Sequence, residues 1–418
     1  MDHRDRDTSL IRAGNGTWQP IVLVSTSEII LKSSYVRGTL LRTLIEHLRW
    51  KLRRAGYTDF EISIDTGRII VTGLSDPRAS QICAQVFGVA ATASALEISG
   101  NADSVAKRAC EYARKVLSNG DSFAVRVRVA GPHPESSKEI ERRVGSEILA
   151  ELSKKRIKVD LKRPKKTIHL EIRGDSLYLY EHRVQGCGGL PYGSQGRLVA
   201  ILTEDARSFV ASWLMMKRGS HVIPILMGTV SLDFENLDQK TVEMTRKIRE
   251  FAPVQDYRMV VVPFRRVAEA ISSAEEGFRY VIEQRIKYRL ASLIAGKVDA
   301  LGIVTGEGLK RDSQELANLS ITNEAACMPV HRPLVGLEEE EIQILAQRIG
   351  IDRFLACREV TREDRVEPRS ADLDRIRARE ENLQLDRLVQ CVMKRVMRID
   401  LKSGSEASLL FPDSCSDS

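Results

Sequence analysis

Eight lysines and arginines crowd into residues 151–170, at positions 154, 155, 156, 158, 162, 163, 165 and 166, opposed only by Glu151 and Asp160. A local excess of this size is the kind of surface that holds phosphate backbones by releasing their counterions, although charge alone also permits a solvated loop. Just upstream, Phe123, Val125, Val127 and Val129 alternate with Ala124, Arg126 and Arg128. A strand with that period buries one side and turns both arginines to the other. The cations placed to meet a polyanion are therefore Arg126, Arg128, Lys154, Lys155, Arg156, Lys162, Arg163, Lys165 and Lys166.

Two other groups of residues invite chemistry and point elsewhere. GCGGLPYGSQG, residues 186–196, holds five glycines. A dinucleotide loop of the GxGxxG kind needs a strand before it and a helix directly after, whereas here Pro191 intervenes and the strand-like LVAIL follows. An ordered linker between domains is the expectation. Seven cysteines stand singly, with no C-x-x-C pair and no spacing typical of zinc or disulfide frameworks. No metal ligands are assigned, and a reducing compartment is expected.

The elements that must carry these residues follow from periodicity. The chain has 418 residues, 43% hydrophobic and 29% charged, with a formal net charge of +7. That composition suits two or three globular domains and a polyanionic partner, and excludes a disordered chain. No apolar stretch approaches the ~20 residues of a membrane span, and the first residues lack a secretory core, so a cytoplasmic protein without a membrane partner is expected. A strand at Ile21–Val24, a helix with Leu40, Leu44, Leu48 and Leu52 on one face and arginines elsewhere, a hairpin around Asp65-Thr66-Gly67 and a short helix at Ala79–Gln85 form a small α+β domain ending near Ser94. Helices at Val105–Leu117 and Ser137–Leu152 flank the arginine strand of a second unit. Beyond the glycines, strands at Leu198–Leu202, His221–Met227, Met259–Pro263 and Ala300–Val304 alternate with helices, the pattern of a doubly wound parallel sheet whose ligands sit beyond the strands' carboxyl ends. Residues 370–400 read as one charged helix, followed by a loose tail.

The order of these segments is recognisable. SEIILK…VR, FAVRVRVAGPHPESSKEIERRVG, VDLKRP, GCGGLPYGSQGRLVAIL, WLMMKRG and VTGEGL…SQELANL resemble the tRNA sulfurtransferases that make 4-thiouridine, from about Ile21 to about Arg369. The resemblance implies an α/β chain of three domains, without a rhodanese-like extension: a ferredoxin-like domain at 20–95, a tRNA-binding THUMP domain at 96–185, and a PP-loop adenylating domain at 186–400, before a flexible tail at 401–418. It implies tRNA as partner, ATP and Mg²⁺ as cofactors, and a protein sulfur donor; a homodimer and a role in thiamine-precursor sulfur transfer also occur in such proteins. By resemblance the nucleotide pocket would be formed at Ile201, Leu202, Ser208, Leu226, Met227, Arg285, Gly306 and Gln314.

The resemblance breaks at the loop itself. The family's adenylating loop reads SGGIDSPVA, its glycines letting backbone N–H groups approach phosphates at a helix N-terminus. The aligned residues here are Thr203-Glu204-Asp205-Ala206-Arg207-Ser208-Phe209-Val210-Ala211, in a register fixed by the flanking segments without gaps. Both glycines have become acids, the aspartate has become Arg207, and Ser208 is kept. A carboxylate a few ångströms from a phosphate oxygen costs ~1–4 kcal/mol per charge pair at effective dielectric constants of ~80–20. Arg207 as a new phosphate ligand, or a bridging magnesium ion, would be the rescue. The stretch Tyr280–Arg285 lacks the C-x-x-C of many archaeal relatives, and Cys357 is an offset counterpart of the family's later cysteine. Two functions remain open: a catalyst of tRNA thiolation, or a tRNA-binding paralogue that positions tRNA or regulates an active partner. No catalytic residue is assigned.

Overall fold

The computed structural model of the chain describes residues 18–65, 67–99, 105–228, 239–255, 257–274, 276–309, 313–355, 373–400 and 407–410. They fall into two compact units, residues 1–191 and 192–418.

The first unit runs β1 (Gln19–Thr26), α1 (Ser34–Arg54), β2 (Glu61–Asp65), β3 (Arg68–Thr72), α2 (Arg78–Ala84), β4 (Val89–Ser99), α3 (Val105–Val116), β5 (Ser122–Ala130), α4 (Ser137–Glu151), β6 (Lys158–Val159), β7 (Lys166–Arg173), β8 (Ser176–Tyr180) and β9 (Val184–Gln185). The leucines at four-residue spacing on α1 are all buried, and α4 opens on a capping box in which Ser136 and Glu139 satisfy each other's backbone N–H. All nine strands join one sheet, in the order β2-β3-β1-β4-β8-β7-β5-β6 with β9 on β4. β4 pairs with β1 from Gln19↔Glu97 to Thr26↔Val89 and with β8 from Leu96↔Leu179 to Ser99↔Ser176. The expected boundary near residue 95 thus falls inside a strand that both halves share.

Helices cover one side of this sheet. Leu44, Leu48 and Leu52 pack with Val22, Val24 and Val71, while Ala109, Ala113, Val144 and Ile148 pack with Phe123, Ile168 and Leu170. On the other side lies a small helix-free cluster that includes Ile21, Leu23, Ile70, Tyr178 and Tyr180.

The second unit comprises β10 (Arg197–Leu202), α5 (Ala206–Lys217), β11 (His221–Gly228), α6 (Gln239–Arg249), β12 (Arg258–Pro263), α7 (Arg265–Ser272), α8 (Glu276–Lys297), β13 (Ile303–Val304), α9 (Ser313–Glu324), β14 (Val330–His331), α10 (Glu339–Ile349), α11 (Leu373–Asn382), α12 (Leu385–Met393), β15 (Met397–Asp400) and β16 (Ala407–Leu409). The sheet order is β14-β13-β10-β11-β12-β15-β16. Its first five strands are parallel, as the alternating pattern predicts. β15 and β16 then add antiparallel to the β12 edge, making the sheet mixed. Residues 370–400 do not form one helix: Gln384 adopts a left-handed φ of 49° between α11 and α12, and the segment closes with β15. Within 401–418, β16 is a strand; the rest lies outside the described residues.

The glycine-rich stretch has neither the strand–loop–helix form nor the look of a loose tether. Its first part is stitched to the first unit by Gly186 N–H to Ala90 O at 2.9 Å and Gly188 N–H to Val89 O at 2.7 Å. A Cβ on Gly186 would stand 2.1 Å from the Val89 carbonyl oxygen, so only glycine fits there.

Candidate functional site

Successive strands of the second unit run outward from β10 to β11 and β12, and the chain then returns to place β13 on the other flank of β10. The reversal makes a switch point between β10 and β13, where the loops leaving the two strands diverge and a crevice is expected. Thr203–Asp205 leaves β10, and Thr305–Gly306–Glu307 leaves β13.

At that switch point the loop side chains bond to one another and to α10. Asp205 caps α5, its Oδ1 accepting the Arg207 backbone N–H at 3.0 Å. The Arg207 guanidinium donates to Asp205 Oδ2 at 2.9 Å and to Glu339 Oε2, at the start of α10, at 2.5 Å. Burial works against its charge, but the bonds to Glu339 and Asp205 prevail and raise its pKa. Ser208 Oγ accepts the Thr203 N–H at 3.1 Å and donates to the Asp205 carbonyl at 3.0 Å, closing the turn. Gly306 presses on the same turn: a Cβ there would lie 2.6 Å from the Ser208 nitrogen. Ile201 and Leu202 on β10 and Leu226 and Met227 on β11 are buried beside it, with Leu202 paired to Leu226.

Arg285 has another occupation. It is buried on α8 and binds Glu380 Oε1 at 2.7 Å, Glu324 Oε2 at 2.7 Å and the Ile321 carbonyl at 2.7 Å, tying α8 to α9 and α11. Gln314 belongs to the first turn of α9, and its side chain lies outside the described residues, as does Cys357. Sequence reasoning missed Tyr288 and Arg332, which gather on Glu307: Arg332 Nε donates to Glu307 Oε2 at 2.9 Å, and Tyr288 OH donates to the same oxygen. Burial, then the Glu307 carboxylate, push the Tyr288 hydroxyl well above its ordinary range. Glu339 was missed as well. Its acidic run at 338–341 signals a helix N-terminus, but nothing local marks an arginine 132 positions away as its partner.

In the first unit the nine candidate cations separate by role. Lys155 Nζ donates to the carbonyls of Arg114 and Leu117, both at 2.7 Å, and Lys166 Nζ to that of Val116 at 2.6 Å, so these two cap the end of α3. Lys165 pairs with Asp121 at 2.7 Å, and Arg126 donates to the Leu161 carbonyl at 2.6 Å. Arg128, Lys154, Arg156, Lys162 and Arg163 are exposed and make no side-chain bond among the described residues. His169 stacks on Tyr180 with centroids 4.9 Å apart; burial first, then Arg183 and Arg126, lower its pKa. Among the described residues no cluster could hold a metal ion, and no helix is long and apolar enough to cross a membrane.

Comparison with known proteins agrees with this architecture. Family models match residues 21–93 (ThiI ferredoxin-like domain), 99–181 (THUMP domain) and 193–366 (Thiamine biosynthesis protein, ThiI). A "Probable tRNA sulfurtransferase" of Methanosarcina acetivorans is 31% identical over 353 residues, 84% of this chain and 85% of its own length. A "tRNA sulfurtransferase" of Thermoplasma volcanium is 33% identical over 333 residues, 78% of this chain and 67% of its own. Among solved structures, a 4-thiouridine synthetase in complex with RNA and ATP superposes with a TM-score of 0.71 at 22% identity, covering 91% of this chain and 99% of that one. PH1313 of Pyrococcus horikoshii gives 0.58 at 26% identity, covering 79% and 99%. With the domains in the same order and the likeness extending over most of its length, this chain belongs to the tRNA sulfurtransferase family.

Proposed function

We propose that this chain binds tRNA through its first unit and has lost, or retains only weakly, the ATP-dependent adenylation of its relatives. The observation that carries this reading is the Asp205 carboxylate at the N-terminus of α5, where backbone N–H groups of a PP-loop would receive phosphate. Arg207, the residue best suited to compensate, is bound on both sides by Asp205 and Glu339. The residues present do not fit a pyrophosphate with its magnesium ion: two carboxylates, Glu204 and Asp205, stand where neutral glycines would.

tRNA binding is supported by the THUMP match and by the five exposed, uncommitted cations of the basic surface. A protein that holds tRNA without activating it would position the substrate for an active partner or withhold it. The active reading draws on the relatives' printed activity and on retained Ser208, Gly306 and Glu307. The deciding experiment mixes purified protein with tRNA, ATP, Mg²⁺ and sulfide and measures pyrophosphate and 4-thiouridine. Neither should form above background; sustained formation of both would overturn the non-catalytic reading.

A further inference from the structure

The tip of the basic loop carries a residue that charge does not explain. Leu161 is 61% exposed, between Asp160 and the cations Lys162 and Arg163. An exposed leucine on a floppy loop would mean little. This loop is pinned on every side: Asp160 N–H donates to the Phe123 carbonyl at 2.9 Å, and Asp160 Oδ1 accepts the backbone N–H groups of Lys162 at 3.0 Å and Arg163 at 2.9 Å. Arg126 grips the Leu161 carbonyl from β5 at 2.6 Å. The Lys165 N–H closes the far end on Ser122 Oγ at 3.0 Å.

A turn built this firmly fixes its backbone, and with it the Cα–Cβ directions, before any ligand arrives, so little backbone ordering entropy opposes binding. It presents an apolar group followed by two free cations. That pairing matches the chemistry of a nucleotide, an apolar base face beside a charged phosphate. Base faces within an A-form duplex are covered by stacking, whereas unpaired bases expose theirs.

Resting on the tRNA-binding reading above, we infer that Leu161 is a base-contacting residue for RNA: its side chain lies against the face of an unpaired base while Lys162 and Arg163 take the adjoining phosphates. Asp160 and Arg126 are the positioning residues of this contact. The loop therefore adds a salt-independent, base-dependent increment to an otherwise electrostatic affinity.

The test separates the two contributions by salt titration of full-length protein with a tRNA transcript and with an abasic oligonucleotide of defined charge. Leu161→Ala should weaken tRNA binding about tenfold with its salt slope unchanged, and leave the abasic oligonucleotide unaffected. Leu161→Phe, which keeps an apolar face, should bind tRNA within twofold of the parent. Lys162→Ala with Arg163→Ala should instead lower the slope by about 1.5–2 units for both ligands. If Leu161→Ala binds tRNA within twofold of the parent, or loses the same affinity for the abasic ligand, the base contact is wrong. If the double cation variant keeps the parental slope, the fault lies with the basic surface as the RNA site.

Discussion

The Arg68 guanidinium lies 2.8 Å from the Glu171 carboxylate, although β3 and β7 are separated in the sheet by β1, β4 and β8. On a flat sheet four spacings of ~4.8 Å would hold them about 19 Å apart. The helix-free face must therefore curl inward, closing over Tyr178 and Tyr180, and the buried pair fastens the curl.

Glu171 also binds Arg173 at 2.5 Å, so its removal takes a carboxylate from two buried cations at once. Glu171→Ala should destabilise the protein by about 3–5 kcal/mol in chemical denaturation, against about 1 kcal/mol or less for an exposed pair such as Arg49–Glu46. Burial raises the Glu171 pKa, but Arg68 and Arg173 outweigh it and hold it low. The pair's contribution is thus complete above the unfolded carboxylate value of ~4.3 and is lost as pH falls further.

The loop after β10 can be tested by gain of function. The unaltered protein should bind ATP weakly or not at all in a fluorescence or calorimetric titration. Replacing Glu204→Gly, Asp205→Gly and Arg207→Asp together removes both acids and the latch to Glu339, and should improve ATP affinity at least tenfold. Tight ATP binding by the parent would show that the carboxylates do not exclude phosphate.

For the basic surface, the cations that cap α3 must be kept apart from those free to bind. Lys154→Ala, Arg156→Ala, Lys162→Ala and Arg163→Ala together should lower the salt slope of tRNA binding by about 3–4 units while the thermal midpoint moves little. Lys155→Ala should do the opposite, lowering stability more than the slope, since its ammonium holds the carbonyls of Arg114 and Leu117 at the end of α3.

His47, half-buried on α1, has an Nδ1 with no hydrogen-bond partner. Burial lowers its pKa from 6.5 to about 4. The folded state therefore resists protonation that the unfolded chain accepts. Stability should be unaffected by this residue above pH 6.5, fall by roughly 1 kcal/mol per unit towards pH 4, and level off below. His47→Gln should flatten that part of the curve; an unchanged pH profile would place the acid sensitivity elsewhere.

Much of the fold is written in local patterns. The leucines of α1, the alternation in β5 and the strand–helix rhythm after residue 196 each declare an element, because burial acts directly on their periodicity. The break at Gln384 was not legible, since its neighbours form helices on both sides and only the packing of α12 and β15 requires the reversal. At the switch point, the two neighbouring acids Glu204 and Asp205 could be read from the loop. That Asp205 turns inward to cap α5 could be suspected from its position; that Glu339 holds Arg207 could not, because the pairing depends on two helices meeting in space. The division of the basic run into capping and free lysines is hidden for the same reason.

β4 has a consequence for how the first unit can move and evolve. One strand supplies hydrogen bonds to the ferredoxin-like half through β1 and to the THUMP half through β8. No hinge can open between them without breaking a ladder, so a load on the basic loop is transmitted through continuous backbone to α1 at the far side. A chain cut near residue 95 would leave two exposed strand edges rather than two domains, and such edges pair with whatever they meet. The smallest separable module is the whole sheet, and exchanges between relatives should succeed at residues 191–192, where the compact units divide, and fail inside it.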